Sequence, residues 1–435
     1  MSPESNNQEN AKEANIEDVE QDTSLFAAFK VSGFPRIWTS ILSGNSGRFS
    51  ILVVAGWEAF KLSHSALWSS IIAFCILIPV AFVGPIAGAY ADRYNKTLIM
   101  SLGQSIAAIS CLVAGVLVYL GHLNLTLLVI TTLGVGIANA IQNPAWSSLV
   151  PAVIGVKRMV NGGAMVRIAQ QGSEFLGPLV ATPLLVGVGP DAVYLLSALF
   201  YLAGATFAFS LRNQVPFVAA THRGIYRPLK EAFVYVSTRQ RLLGTLLILV
   251  GLHCGLTMAY TGIIPKLAEH NLRGSSGGIY GELLTAVGVG AILGAIMVIV
   301  VTRWLDLKLV LIITGVVSGL SLVMLGFSTL VWLSLVGAIL VGASQSAFMA
   351  LYLALLQGST IPEMRGRVAA MSNILVGSTM SSFALLWGGL TNSNSVEWVI
   401  ATPGLVFTLI LGLMLVKIPW LRPSKLTALK FSPTN

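Results

Sequence analysis

Gly84-Pro-Ile-Ala-Gly88-Ala-Tyr-Ala-Asp92-Arg93-Tyr-Asn95-Lys96-Thr97 decides how this chain folds. It sits between two apolar runs, 67–90 and 98–120. Each run exceeds the roughly 20 residues that an α-helix needs to cross a bilayer. The short segment between them reverses the chain and holds Asp92, Arg93 and Lys96. Charge facing lipid is costly, so this hinge is expected at a membrane surface. Its positive charges favour the cytoplasmic side.

Working outward, apolar segments recur at 37–58, 125–149, 163–188, 190–211, 242–265, 279–302, 308–328, 331–355, 368–390 and 397–418. With the first two runs they predict an all-α membrane protein of twelve transmembrane helices. The polar stretch 212–240 divides them six and six. The expected organisation is a tail at 1–33, a six-helix bundle at 34–211, a linker at 212–240, a second bundle at 241–418 and a tail at 419–435. Composition agrees: 55% of the 435 residues are hydrophobic and 10% charged, against about 25% charged in soluble domains.

The net charge of +9 does not point to nucleic acid, because no basic patch interleaves with aromatics. Lys and Arg gather instead in the tails, the linker and the loops that follow even-numbered spans. Lys61, Lys266 and Arg273 fall on the other side, and Arg48 falls within the first span. That asymmetry predicts a cell-membrane protein with both termini cytoplasmic. Seven of the 17 acidic residues crowd into the first 33 positions, where few hydrophobic residues stand. This reads as a disordered acidic tail and not a signal peptide. Within the linker, 227–239 fits either an amphipathic surface helix or a solvated connection. Cys75, Cys111 and Cys254 lie inside spans, without disulfide or zinc spacing. No cofactor and no metal site is implied.

The string Gly88-x-x-Ala91-Asp92-Arg93-x-Asn95-Lys96 resembles the signature loop between helices 2 and 3 of major facilitator superfamily transporters. Asn95 stands where the family has a second Gly, and Thr97 where it has a second basic residue. Asn143-Pro-Ala-Trp-Ser-Ser-Leu-Val-Pro151 and Ile361-Pro-Glu-Met-Arg365-Gly-Arg367-Val368 occupy equivalent places in the two halves. With Leu62-Ser-His-Ser-Ala66 they are similar to the exporter branch containing the enterobactin exporter. The resemblance implies two pseudo-symmetric bundles related by an axis along the membrane normal. It also implies that Asp92 faces the start of the eleventh span, beside Arg365 and Arg367, as a latch of the cytoplasmic gate. The plainer reading gives Arg93 and Lys96 the task of orienting the chain by charge. The fourth span, Leu133-Gly-Val-Gly136-Ile-Ala-Asn139, lacks the Arg common in the family.

The fifth span reads Gly172-Ser-Glu174-Phe-Leu-Gly177-Pro178, similar to the Gly-Pro motif of the superfamily's antiporters, with Ala181-Thr182 in place of its Gly pair. Gly permits close helix approach, and Pro removes a backbone hydrogen bond. Simple packing would explain the same residues. Arg167, Gln170, Gln171 and Glu174 share one helical face that lipid would not tolerate, so it should point into the protein. Glu174 is a candidate for proton coupling, because its environment can alternate between wet and closed. A static ion pair with Arg48 is the other reading. His253 is a second proton-coupling candidate or a packing residue.

Arg48, with Asn45 on the same face, is suited to an anionic group on a substrate. Asn139, Gln170, Gln171, Gln345, Tyr260 and Phe348 complete the candidates for lining a substrate cavity, although membrane aromatics also serve as core. A small-molecule substrate, protons as coupling ion and a lipid bilayer are the expected partners, and a monomer the expected state. The resemblance implies proton-coupled export of an amphipathic drug or siderophore. Uptake of an organic anion remains an alternative, as does a non-transporting sensor or scaffold. No enzyme is implied, since neither a P-loop nor a nucleophile–base pair stands out.

Overall fold

The computed structural model describes residues 27–91, 94–155, 158–213, 226–239, 241–274, 276–391 and 395–418. Fourteen α-helices carry the fold. They are α1 Phe34–Ser63, α2 Ala66–Ala91, α3 Lys96–Tyr119, α4 Leu125–Ile154, α5 Met159–Gly187, α6 Pro190–Phe209 and α7 Tyr226–Arg239. After these come α8 Arg241–Thr257, α9 Ile264–His270, α10 Gly278–Val301, α11 Leu307–Phe327, α12 Val331–Gly358, α13 Arg365–Leu390 and α14 Val396–Lys417. Among the described residues no strand occurs.

Nine helices among the described residues are long and apolar enough to cross a membrane, or up to ten if a bent pair at α7 and α8 is one span. The shortfall from twelve has a physical reason. α1 and α5 have spanning length, 30 and 29 residues, but carry the polar residues that the interior needs. The expected seventh span, 242–265, is not one helix. α8 stops at Thr257, the chain turns through 258–263, and α9 restarts just ahead of Pro265.

A broken helix in a bilayer survives only where its freed backbone groups find partners. Here Gln345 Nε2 of α12 donates to the Thr257 carbonyl. Trp387 Nε1 of α13 donates to the Gly255 carbonyl at 2.9 Å. The start of α3 is secured in a similar way. Asn95 accepts from the Thr97 N–H at 3.0 Å, a side-chain N-cap, and its amide donates to the Arg212 carbonyl at 3.1 Å. The two departures from the family string thus combine in one cap.

Helix packing repeats between the halves. α3 packs on α4 and α6, α2 on α4, and α1 on α5 and α6. In the second half α11 packs on α12 and α14, α10 on α12, and α8 on α13 and α14. The halves meet through α5 with α10 and α2 with α13, a reciprocal pair in this scheme. One hydrophobic cluster, including Trp57, Tyr260, Tyr280 and Ile263, runs across that junction.

Small residues set the closest crossings, as expected where lipid offers no hydrophobic drive between helices. A Cβ on Gly342 of α12 would run into the Val287 carbonyl of α10, and one on Gly290 into the Ile339 carbonyl. Gly342→Val should therefore force α10 and α12 apart and destabilise the fold by about 1–3 kcal/mol. A lower thermal midpoint of the purified variant would show it. An unchanged midpoint would mean that the crossing tolerates the added bulk.

Candidate functional site: a passage closed at one end

Among the described residues, contacts between the halves gather toward one end of the molecule. At the end bearing the turns 64–65, 188–189 and 271–274, α2 meets α13 where Ser70 abuts Gly388, and α5 meets α10 where Thr182 abuts Gly281. Tyr280 of α10, 1% exposed, reaches into the first half. Its hydroxyl donates to the Leu52 carbonyl of α1 at 2.9 Å, and its ring stacks on Trp57 at 6.2 Å between centroids. Gly56 makes room, since a Cβ there would lie 2.6 Å from the Tyr280 hydroxyl. Lys266 of α9 adds a bond to the Thr391 carbonyl at the end of α13.

Toward the other end these helices lose their cover. Phe82, Ile86 and Tyr90 of α2, Ile168 of α5 and the start of α13 at Arg365 and Gly366 are exposed. A Cβ on Gly163 of α5 or on Gly366 or Gly377 of α13 would meet nothing within 4 Å. With the halves joined at one end and open space beside Gly163, Gly366 and Gly377 at the other, the arrangement reads as a passage open at one end and blind at the other. Two clefts, about 540 and 290 Å³, lie at the sealed end around Arg273 and Glu397 and around Trp57 and Glu58. Neither belongs to the passage.

Five of the candidate residues come together just short of the seal. Asn45 and Arg48 occupy the face of α1 that leads, one turn on, to Leu52 and the Tyr280 contact. Gln170, Gln171 and Glu174 occupy the face of α5 that meets the second half. Gln171 Nε2 donates to Ser346 Oγ of α12, and the Glu174 backbone lies against Gly288 of α10. Exposed Arg167 donates to Gln170 Oε1 at 3.3 Å, nearer the open end. Gly177 allows this closeness, because a Cβ there would sit 2.6 Å from Phe49 Cβ. Pro178 follows it inside α5, where its carbonyl is bonded by Thr182 Oγ1 at 2.7 Å. Gly172 lies near Leu42 of α1.

Arg48 and Glu174 do not form the direct ion pair that was one reading of the sequence. No contact of 4.0 Å or less joins them, although they are near enough for their charges to interact. The Arg48 guanidinium lies over the Phe49 ring at 4.6 Å, and its Nε is buried with no hydrogen-bond partner.

The other candidates stand elsewhere. Asn139 belongs to a buried polar network within the first half, where it accepts from Gln142 at 2.6 Å beside Tyr201. The same region holds Gln104, fully buried and bonded to Ser40, which periodicity gave no reason to single out. His253 is fully buried in the second half, stacked on Phe348 at 3.8 Å with Phe407 edge-on at 5.1 Å. Phe348 is likewise fully buried there, so both lie in a helix core away from the passage. Gln345 is occupied at the α8 break. Tyr260 lies in that break, buried but within electrostatic reach of Glu174.

Of the loop residues, Asp92 and Arg93 lie outside the described residues. Gly88 faces Pro144 of α4, and Lys96 opens α3. Arg365 donates to the Thr360 carbonyl at 3.1 Å. Arg367 forms an ion pair with Glu231 of α7, tying that helix to the start of α13.

The sequence pattern of the transmembrane secretion effector family matches residues 23–433. The chain belongs to that family. It is a multi-pass membrane transporter of the major facilitator type and not an enzyme. The transporter is 21% identical over 280 residues to the staphyloferrin A transporter of Staphylococcus aureus (strain NCTC 8325 / PS 47), a match covering 63% of this chain and 69% of the relative. A second relative is the uncharacterized MFS-type transporter YfiS of Bacillus subtilis (strain 168), 25% identical over 264 residues. That match covers 55% of this chain and 59% of the relative, less than two thirds of its length.

Among solved structures, a POT family transporter in complex with 5-aminolevulinic acid superposes with a TM-score of 0.72. It is 11% identical over 90% of this chain and 97% of the other. The nucleoside transporter NupG gives 0.68 at 12% identity, over 91% of this chain and all of the other. These likenesses establish the major facilitator fold for the transporter and do not extend to its cargo.

Proposed function

We propose that this transporter exports an amphipathic small molecule, a drug or a siderophore, across the cell membrane in exchange for protons. The observation that carries the reading is the blind passage, with Glu174 and Arg48 at its inner end. A carboxylate there meets water when the passage is open and loses it when the passage closes, which is what loading and release of a proton require. The halves 34–211 and 241–418 would rock about this site, joined by the linker 212–240. The distribution of Lys and Arg supports an orientation with both termini, and with them the open end, on the cytoplasmic side. In that orientation the state described here receives cargo from the cytoplasm. A monomer contains the whole passage. The name of the staphyloferrin A transporter is in keeping with a small organic cargo.

Arg48 supports a second reading, uptake of an organic anion with protons. Inside-out vesicles carrying the transporter separate the two. With an acidic interior reported by a quenched pH dye, a panel of antibiotics, dyes and iron chelators is added. Exchange predicts that a cargo restores fluorescence only where the transporter is present. Acidification of a neutral interior by an inwardly directed anion gradient would establish uptake with protons instead and overturn export.

A further inference from the structure

The inner end of the passage presents two opposite charges that the protein itself leaves unsatisfied. Among the described residues, neither Arg48 nor Glu174 has a hydrogen bond or an ion pair. Arg48 Nε is buried with no hydrogen-bond partner, and a charged group left so is costly unless something else completes the pairing. The two side chains are not free to satisfy one another. Arg48 rests on Phe49, whose Cβ is wedged against Gly177 of α5. α1 is further fixed to α5 by Ser50 Oγ donating to the Gly177 carbonyl at 3.2 Å. Phe49 covers one face of the guanidinium, and the N–H groups of such a fork bind carboxylate or phosphate in pairs.

We propose that the cargo is amphoteric, with an anionic group on Arg48 and an ammonium-type cation on Glu174. The inference rests on the transport reading above and deepens it by naming the charge pattern of the substrate. A purely anionic molecule on Arg48 would set its charge beside the Glu174 carboxylate. A purely cationic one on Glu174 would meet the Arg48 guanidinium. Only a molecule bearing both charges neutralises both ends. Asn45, whose Nδ2 donates to the Ile41 carbonyl of its own helix, and Gln170, whose Oε1 accepts from Arg167, are neutral groups one turn from these charges, each keeping one amide atom for cargo. Gln171 is already engaged with Ser346, so it positions α5 against α12 and does not serve as a first contact.

The test uses the purified transporter in nanodiscs at one fixed pH, with binding measured at equilibrium. The probes are 8-aminooctanoic acid, its methyl ester (cation only) and its N-acetyl derivative (anion only). The flexible chain lets the two charges reach any spacing in the site. The zwitterion is expected to bind about tenfold more tightly than either derivative, for one lost charge pairing. Arg48→Gln should erase its advantage over the ester, and Glu174→Gln its advantage over the N-acetyl form. A merely structural role for either residue would weaken all three probes alike. Equal affinities, uniform weakening, or binding by none of the three would overturn the proposal. No gradient is imposed, so the outcome is independent of proton exchange. A zwitterion preference without exchange would sink only the transport reading, and exchange without the preference would sink only this one.

Discussion

Glu174→Gln is expected to reduce pH-driven transport to the level of empty vesicles while the protein still reaches the membrane. The amide keeps the size of the side chain and cannot take up or give back a proton. Its surroundings make this a demanding replacement for function and a mild one for the fold. Glu174 bonds to no described residue, so no native hydrogen bond is lost. The charged and titratable groups within its reach are Arg48 of α1 and Tyr260 in the break after α8. Counterflow at equal pH should survive in the variant at saturating cargo, with the half-saturating concentration raised about tenfold by the lost charge pairing, since it needs binding and rocking but no net proton movement. Proton-coupled flux at the wild-type rate would dismiss the coupling role of Glu174.

The second large effect belongs to the seal. Tyr280→Ala removes a ring buried between the halves together with its bond to the Leu52 carbonyl. Large aromatic-to-Ala changes in cores cost about 3–5 kcal/mol. Here that stabilisation exists only while the sealed end is closed, because the ring belongs to α10 and its partners to α1. The loss therefore falls on one state of the rocking equilibrium. It should move the ratio of states by roughly a hundredfold to several thousandfold toward opening at the sealed end. Tyr280→Phe removes only the hydroxyl and should move the ratio about fivefold, for about 1 kcal/mol. Gly56→Leu should act like Tyr280→Ala by expelling the ring.

Spin labels at Val188 and Leu330, exposed turns in opposite halves at that end, read the change as a longer distance. The native Cys75, Cys111 and Cys254 are buried, so engineered cysteines label selectively. Distances identical to wild type in Tyr280→Ala would show that the seal draws its stability from the Ser70–Gly388 and Thr182–Gly281 contacts alone.

What the sequence determined by itself was set by solvent. Ten residues in a hundred charged, and those placed between long apolar runs, leave a bilayer as the only surroundings in which the backbone is satisfied. The face Arg167–Gln170–Gln171–Glu174 was legible for the same reason, since a polar stripe on a spanning helix has to turn away from lipid. Polarity alone, however, states only that a residue points inward. It cannot distinguish an interior that is a wet passage from one that is a helix core, and tertiary packing decided that.

Asn139 and Arg48 both lie in spans, yet Asn139 is absorbed by Gln142 and Tyr201 while Arg48 Nε is left without a hydrogen-bond partner. His253 and Phe348 face inward too, and close on each other in the second half's core. Gln345 had the same appearance in sequence, but the break at Thr257 claims it, and that break depends on partners from α12 and α13 that are distant in the chain. The seal was hidden for the same reason. Tyr280 and Gly56 are unremarkable where they stand in sequence, and only the meeting of α10 with α1 makes them a pair.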